Sequence, residues 1–329
     1  MPAAQEAGAP TTHLLIVAGL GGSDDFRARF LEWSLALRQA AVERYGLGPE
    51  HVTVLAEDPS MDAAVAARST RDEVAAALTA IAGRATPADR VLLVLLGHGS
   101  FRDAEARFNL PGPDLTPAEL AAMLDALPAR HVAVVNAASA SGPFVPALAA
   151  AGRTVIAATK TGQERNETRF GEFFARAFEG EGADLDKNGS VSLLEAFRFA
   201  RSETARSYEE ESLLMTEHAV LDDDGDGEGA EDPSADAPDG AGAAAFVLGT
   251  PGRRASAGAA AGAEPRPVPT DSALARLYRE RAELEGRVAE LRRRRSELEA
   301  AEYDRRLEEL LLELALKTRE IRDREGGGA

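Results

Sequence analysis

Cysteine is absent from the 329-residue chain. That excludes disulfides, thiolate metal sites and cysteine nucleophiles. No run of about 18 apolar residues occurs, so no membrane span is expected. Basic charge is scarce: 37 Lys and Arg face 55 Asp and Glu, for a net charge of −18. A nucleic-acid partner is therefore not expected, because phosphate binding needs basic clusters. The opening MPAAQEAGAPTTH is neither basic nor followed by a signal-type apolar core, so no signal peptide is read in this chain. A chain trimmed of its leader looks the same.

What is present is enough apolar material, 44% of residues, to fill a sizeable core. The length suits one large domain or two smaller ones. Between about residues 12 and 160, strand-like and helix-like patterns alternate. HLLIVAG, HVTVLAED, VLLVLLG, HVAVVNA and RTVIAAT are apolar runs of strand length. Between them lie three helical patterns. One runs from Phe26 to Tyr45 with Phe30, Trp33, Leu37 and Ala41 on one stripe. One is capped by Ser69 or Thr70, with Glu73 in the capping-box position for Thr70, and runs to Ile81. One opens at Thr116–Pro117 and runs to Leu127. Runs apolar on both faces, alternating with helices, predict an α/β fold with a mainly parallel sheet covered by helices. Sites in such sheets lie at the carboxyl ends of the strands. Gly19–Gly22, His98 and Ser139 all fall just past such ends.

Downstream, residues 163–212 read as helical, and 228–270 as an Ala/Gly/Pro/acidic linker with AAAFVLG as a short packed segment inside it. Residues 1–11 are expected to be disordered. Leu277, Leu284, Leu291 and Leu298 recur every seven residues, and Tyr303, Leu307, Leu310, Leu314 and Ile321 form a second stripe. The phase slips near Ala300–Ala301, so 271–325 is expected to be a helical hairpin or a coiled coil with a stutter. It is the expected surface for self-association or a partner protein. Arg281 and Arg295 at seam positions weaken a simple zipper.

The most specific motif is DLDKNGSVSLLE, Asp184 to Glu195. Ca²⁺ takes six to eight oxygen ligands around a loop with a sharp central turn and a closing bidentate carboxylate. Asp184, Asp186 and Asn188 stand at loop positions 1, 3 and 5, with Gly189 at the turn. Ser190 supplies a carbonyl, Ser192 a direct or water-mediated ligand, and Glu195 closes the loop. Phe170, Phe173, Phe174 and Phe178 stripe the entering helix; Leu194, Phe197 and Phe199 or Ala200 stripe the leaving one. An EF-hand-like segment is thus expected over 167–210, with Ca²⁺ as its ligand. A second acidic run places Asp222, Asp224 and Asp226 at the same spacing with Gly227, but has Pro233 where the closing Glu belongs. A solvated loop and a weaker second site both fit it. A calcium loop and a lack of cysteine lean towards an extracytoplasmic location.

IVAGLGGSDDFRARF, LLVLLGHGS, FNLPGPDLTPAEL, VVNAASASG and TVIAATKTGQERN occur in an order and spacing that resemble the caspase-like peptidase superfamily and, within it, the legumain-type family. The resemblance covers roughly residues 12–165 and implies a caspase-like domain, which the acidic and helical segments extend to about 227. It implies that His98 matches the catalytic histidine and that Ser139 stands where the nucleophilic cysteine belongs. The amides of Gly99 and Ser139 match the oxyanion donors, Arg27 a basic residue of the substrate pocket, and Asp25 the group that orients the histidine. The sequence departs from the family at Gly97 and Ala137, where the family has acids. A serine hydroxyl needs a general base at transfer distance and usually a third group behind that base. Two functions follow: a calcium-binding, catalytically degenerate module that binds a peptide or protein, or a serine-dependent amide hydrolase using Ser139 and His98. GLGG alone is an incomplete phosphate-binding loop.

Overall fold

The computed structural model describes residues 10–249 and, beyond them, five helical positions, Arg305, Arg306, Leu310, Glu313 and Lys317. The expected disorder of 1–11 falls mostly outside the described residues, as do most of the helical stripes of 271–325 and the second half of the expected linker. The chain divides into two units, residues 1–261 and 262–329.

The first unit is built on one sheet. Its strands are β1 (Thr12–Ala18), β2 (Val52–Ala56), β3 (Val65–Arg68), β4 (Arg90–Leu96), β7 (His131–Asn136), β8 (Arg153–Ala157) and β9 (Val220–Asp222). The seven lie in the order β3-β2-β1-β4-β7-β8-β9. All pairs are parallel except β8 with β9, which is antiparallel. The five apolar runs legible in the sequence are β1, β2, β4, β7 and β8. The short strands β3 and β9 lack such runs, and neither do β5 (Gly99–Arg102) and β6 (Glu105–Phe108) have them; these last two form a separate antiparallel hairpin directly after His98. Asp103 and Ala104 turn that hairpin, both with positive φ.

Helices cover both faces. Leu14, Ile16 and Ala18 of β1 point to the face packed by α1 (Asp24–Gln39), α5 (Phe170–Arg176) and α6 (Leu193–Glu210). Leu15 and Val17 point to the face packed by α2 (Arg71–Ala82), α3 (Pro117–Asp125) and α4 (Phe144–Leu148). Each residue of β1 is buried, which is why these strands carry continuous apolar runs instead of alternation. The helix starts follow their caps. Thr70 Oγ1 accepts from the amide of Glu73, and Thr116 with Glu119 forms a full capping box ahead of Pro117. α1 ends in a π-helical turn over Ala40–Arg44.

Residues 228–249 differ from the expected linker. Ala230 exchanges both backbone hydrogen bonds with Leu221 at 2.9 and 2.8 Å, closing the free edge of β9. Asp223 accepts from the amides of Gly240 and Ala243 and so starts α7 (Ala241–Ala245). Phe246 and Leu248 of the AAAFVLG segment are buried, and Val247 bridges Ser192. Composition alone marks this tract as flexible; a few carboxylates capping its amides, and two apolar anchors, hold it on the domain. In the second unit Leu310 is buried while Arg305, Arg306 and Glu313 are exposed.

Candidate functional site

Parallel strands β1, β4 and β7 are neighbours, so their carboxyl ends bring three loops together. Gly97–His98 follows β4, Ala137–Ser139 follows β7, and Gly19–Ser23 follows β1. The structure thereby brings His98, Gly99 and Ser139 to one edge of the sheet.

Their geometry is specific. Ser139 is buried, and its Oγ accepts from the Gly99 amide at 3.2 Å and donates to the Gly99 carbonyl at 3.1 Å. Its hydroxyl proton is therefore on a carbonyl, and no hydrogen bond joins it to His98 among the described residues. One of the two expected oxyanion donors, the Gly99 N–H, is aimed at the Ser139 hydroxyl. The loop beyond is laced by hydroxyls: Thr159 Oγ1 accepts from the amides of Ser141 and Gly142 at 2.7 and 3.2 Å.

The His98 ring stands edge-on to Phe26 and Phe30, 4.5 and 5.0 Å between centroids. Burial holds its imidazole below the ordinary histidine value, against Glu167 and a ring N–H bond to the Gly21 carbonyl, which favour the proton; Arg29 disfavours it. The neutral ring is thus oriented by the Gly21 carbonyl. Asp25, matched by resemblance to the orienting group, lies exposed in the first turn of α1. The carboxylate that His98 feels is Glu167, itself 2.5 Å from Arg29.

Arg27 pairs with Glu57 at 3.1 Å and Asp24 at 2.8 Å, and the hydrogen bond to Glu57 chiefly raises its pKa. Glu57 also accepts from the Gly21 amide at 2.9 Å. Arg27 is therefore charge-balanced and braces the loop that carries the His98 acceptor. Glu57 was signalled only by its place at the end of the second strand run, HVTVLAED. Glu167 carried no signal beyond its place at the start of the expected EF-hand-like segment, 167–210.

Space at Gly97 is closed to a side chain: a Cβ there would meet Phe108 Cζ at 3.0 Å and Gly19 Cα at 3.1 Å. The Phe108 ring occupies the space an acid would need. Ala137 is buried, and its carbonyl accepts from Thr168 Oγ1 at 2.6 Å.

The acidic loop lies between α5 and α6. Phe170, Phe174, Phe178 and Phe197 are all fully buried there, and on the leaving helix Ala200, not Phe199, completes the stripe. Carboxylate oxygens of Asp184, Asp186 and Glu195 come within 4.8 Å of one another. Gly189 takes φ +88°, the left-handed value such a turn demands. Asp184 Oδ2 accepts from the Gly189 amide at 3.0 Å, and Asn188 bonds Asp186 through both its amides. Ser190 donates its N–H to Asn188 Oδ1. Ser192 caps α6, and Glu195 completes its capping box while also accepting from the amides of Leu185 and Asp186. Asp184 Oδ1 is buried with no hydrogen-bond partner. An orphaned carboxylate oxygen beside two further carboxylates fits a hard divalent cation.

Asp222, Asp224 and Asp226 also cluster within 4.8 Å. Both oxygens of the wholly buried Asp222 are taken by the amides of Gly225 and Gly227, at 2.9 and 2.7 Å. Burial and the neighbouring Asp239 and Asp226 push its pKa up, against those amides.

Comparison with solved structures finds similarity to protein GSU0716 from Geobacter sulfurreducens, at 15% identity and a TM-score of 0.42, over 64% of this chain and 92% of that one. It also finds similarity to caspase-1 from Spodoptera frugiperda, at 11% identity and a TM-score of 0.38, over 68% of this chain and 94% of that one. No protein-family model matches the chain, and no curated protein matches it. Among the described residues no helix is long and apolar enough to cross a membrane.

Proposed function

We propose that this chain is a calcium-binding protein of the caspase-like, legumain-related peptidase fold whose nucleophile position has been converted to structural use, and that it works as an interaction or regulatory module for a peptide or protein. The observation that carries the reading is the Ser139 hydroxyl, bonded both ways to the backbone of Gly99. A nucleophilic serine must give its proton to a base; this one gives it to a carbonyl. The orienting acid expected at Asp25 is replaced by a backbone carbonyl, which cannot stabilise an imidazolium as a carboxylate does.

Calcium supplies a fixed positive charge that draws the 184–195 loop together when bound. Asp184, Asp186, Asn188, the Ser190 carbonyl, Ser192 and Glu195 would hold it. The orphaned Asp184 Oδ1 supports this assignment.

The second reading, a serine-dependent hydrolase, is favoured by one observation: burial keeps His98 neutral, the form a general base requires. Hydrolysis of a fluorogenic peptide library, with and without Ca²⁺, separates the two. The module reading expects no turnover by the wild type beyond that of Ser139→Ala. Turnover that disappears in Ser139→Ala would establish the hydrolase. An active Ser139→Cys beside a silent wild type would mean a disarmed but otherwise intact site.

A further inference from the structure

The Asp184–Glu195 loop has two unlike halves. Leu185, Asp186, Lys187 and Asn188 are exposed, while Val191 to Glu195 are buried. Against the buried half lies the tail of the 228–249 tract. The Phe246 carbonyl accepts from the amide of Leu193 at 2.9 Å, and Val247 forms an antiparallel bridge with Ser192. Leu193 opens α6, so its amide is one of the helix-start donors that no carbonyl of the helix reaches. The tract therefore lands on the backbone between Ser192 and Glu195, two of the residues assigned to the cation.

Residues 240–249 dock with little to spare. Three of the ten are glycine and four are alanine, and glycine loses the most freedom on ordering. Large side chains enter the core at Phe246 and Leu248, 4% and 3% exposed. One carboxylate holds the start: Asp223 accepts from the amides of Gly240 and Ala243 at 2.8 and 2.7 Å. The far end turns at Gly249, with φ +78°, where a Cβ would fall 2.2 Å from the Tyr45 carbonyl oxygen. A segment with so few buried apolar side chains opens at a lower free energy than the sheet beneath it.

We propose that residues 240–249 are a calcium-controlled strap: filling of the Asp184–Glu195 loop by Ca²⁺ tightens them onto Ser192 and Leu193, and their docking in turn tightens the loop's hold on Ca²⁺. The proposal rests on the calcium-binding reading and names how that site is regulated. The ligands Ser192 and Glu195 and the strap's partners Ser192 and Leu193 belong to one buried stretch of backbone. Ordering that stretch serves both contacts, so whichever forms first spares the other the cost. The two do not compete for atoms: the Phe246 carbonyl takes an amide, and Ca²⁺ takes oxygens. The coupling is therefore positive, and by linkage it is equal in both directions. The chain reaches residues 250–329 only through this strap, so calcium also governs the attachment of the partner surface expected over 271–325.

Hydrogen exchange of the full chain, in Ca²⁺ and in chelator, reads the strap through the amides of Ala243, Ala244 and Phe246, which bond Asp223, Gly240 and Ala243. Exchange at these amides is expected to slow about ten-fold in Ca²⁺. Asp186→Asn, at an exposed position where substitution leaves folding intact, should lose Ca²⁺ binding and the slowing together. Val247→Gly should weaken Ca²⁺ binding, measured by calorimetry, by about the same ten-fold factor. Absence of Ca²⁺ binding by the wild type would overturn the calcium reading and the strap with it. Binding without slowing at the strap, slowing that survives the loss of binding in Asp186→Asn, or unchanged affinity in Val247→Gly would overturn the strap and leave the calcium reading standing. So would an equal slowing in α2, on the other face of the sheet, since that is general stabilisation.

Discussion

Ser139 and Gly99 are joined by two hydrogen bonds through a single atom: the serine Oγ accepts from the glycine amide at 3.2 Å and donates to its carbonyl at 3.1 Å. The pair ties the turn after β7 to the start of the β5–β6 hairpin. The approach is close enough that a Cβ on Gly99 would fall 2.0 Å from the Ser139 carbonyl oxygen. The Ser139 hydroxyl is a pin between two loops.

Removing the pin has a measurable consequence. Ser139→Ala leaves both Gly99 groups without their partner in a partly buried place, which costs about 1–3 kcal/mol. For a unit of this size the melting temperature falls by about 2–4 °C for each kcal/mol. A melt indistinguishable from wild type would show that the hydroxyl carries no structural role.

The proposed binding of calcium by the Asp184–Glu195 loop makes a mass-action prediction. At a free Ca²⁺ concentration about a hundred times the dissociation constant, the wild type gains about 2.7 kcal/mol over its chelated form. Glu195→Gln loses most of this gain. Without calcium it also loses much of the carboxylate's bonding to the amides of Leu185, Asp186 and Ser192. Calorimetric titration and melts in calcium and in chelator measure the two effects separately.

At the opposite end of the sheet, His13 is buried, with its Nδ1 3.3 Å from that of His51 and its Nε2 3.9 Å from Asp89. Burial first, then Arg84 and His51, holds its pKa below the ordinary value, against Asp89. The unfolded chain takes up this proton as pH falls through about 6.5, and the folded chain only lower. Stability present above that pH is therefore lost as pH falls towards the folded value, by about 1.4 kcal/mol for each tenfold difference in proton affinity. His98 acts in the same direction. His13→Asn should accordingly flatten, not abolish, the loss seen by denaturant unfolding between neutral and mildly acid pH; an unchanged slope would exclude His13 as a contributor.

Placing an acid before His98 should fail on steric grounds. Gly97→Asp drives a Cβ against Phe108 and Gly19 and is expected to cost about 1–3 kcal/mol, the usual range for overpacking. Phe108→Leu in the same chain should recover part of that loss if the ring is the obstacle, and an unrelieved double variant would place the strain in the backbone at Gly19.

Much of the core was legible because a strand buried on both faces must be apolar throughout. β1, β2, β4, β7 and β8 each announce themselves as such runs. The caps at Thr70 and Thr116 were legible because capping chemistry is local, spanning three residues. β3, β9 and the β5–β6 hairpin were not, since each is three or four residues long and takes its strand form from a neighbour's ladder. Residues 228–249 misled for a related reason. A composition rich in Ala, Gly and Asp suits a linker until Asp223 caps Gly240 and Phe246 finds a place in the core.

The sequence by itself determined the alternating α/β layout and the oxygen-ligand spacing of Asp184–Glu195. It also placed His98 and Ser139 at the ends of strands. These depend on contacts within a few residues, or on a periodicity that every residue of a strand repeats. Only the tertiary structure decided that Ser139 bonds Gly99 and not His98, that Gly21 and not Asp25 orients the imidazole, and that Arg27 is balanced by Glu57. Each of those is a choice between partners far apart in the chain. Angles and distances of a few tenths of an ångström settle such choices, and residue type alone leaves them open.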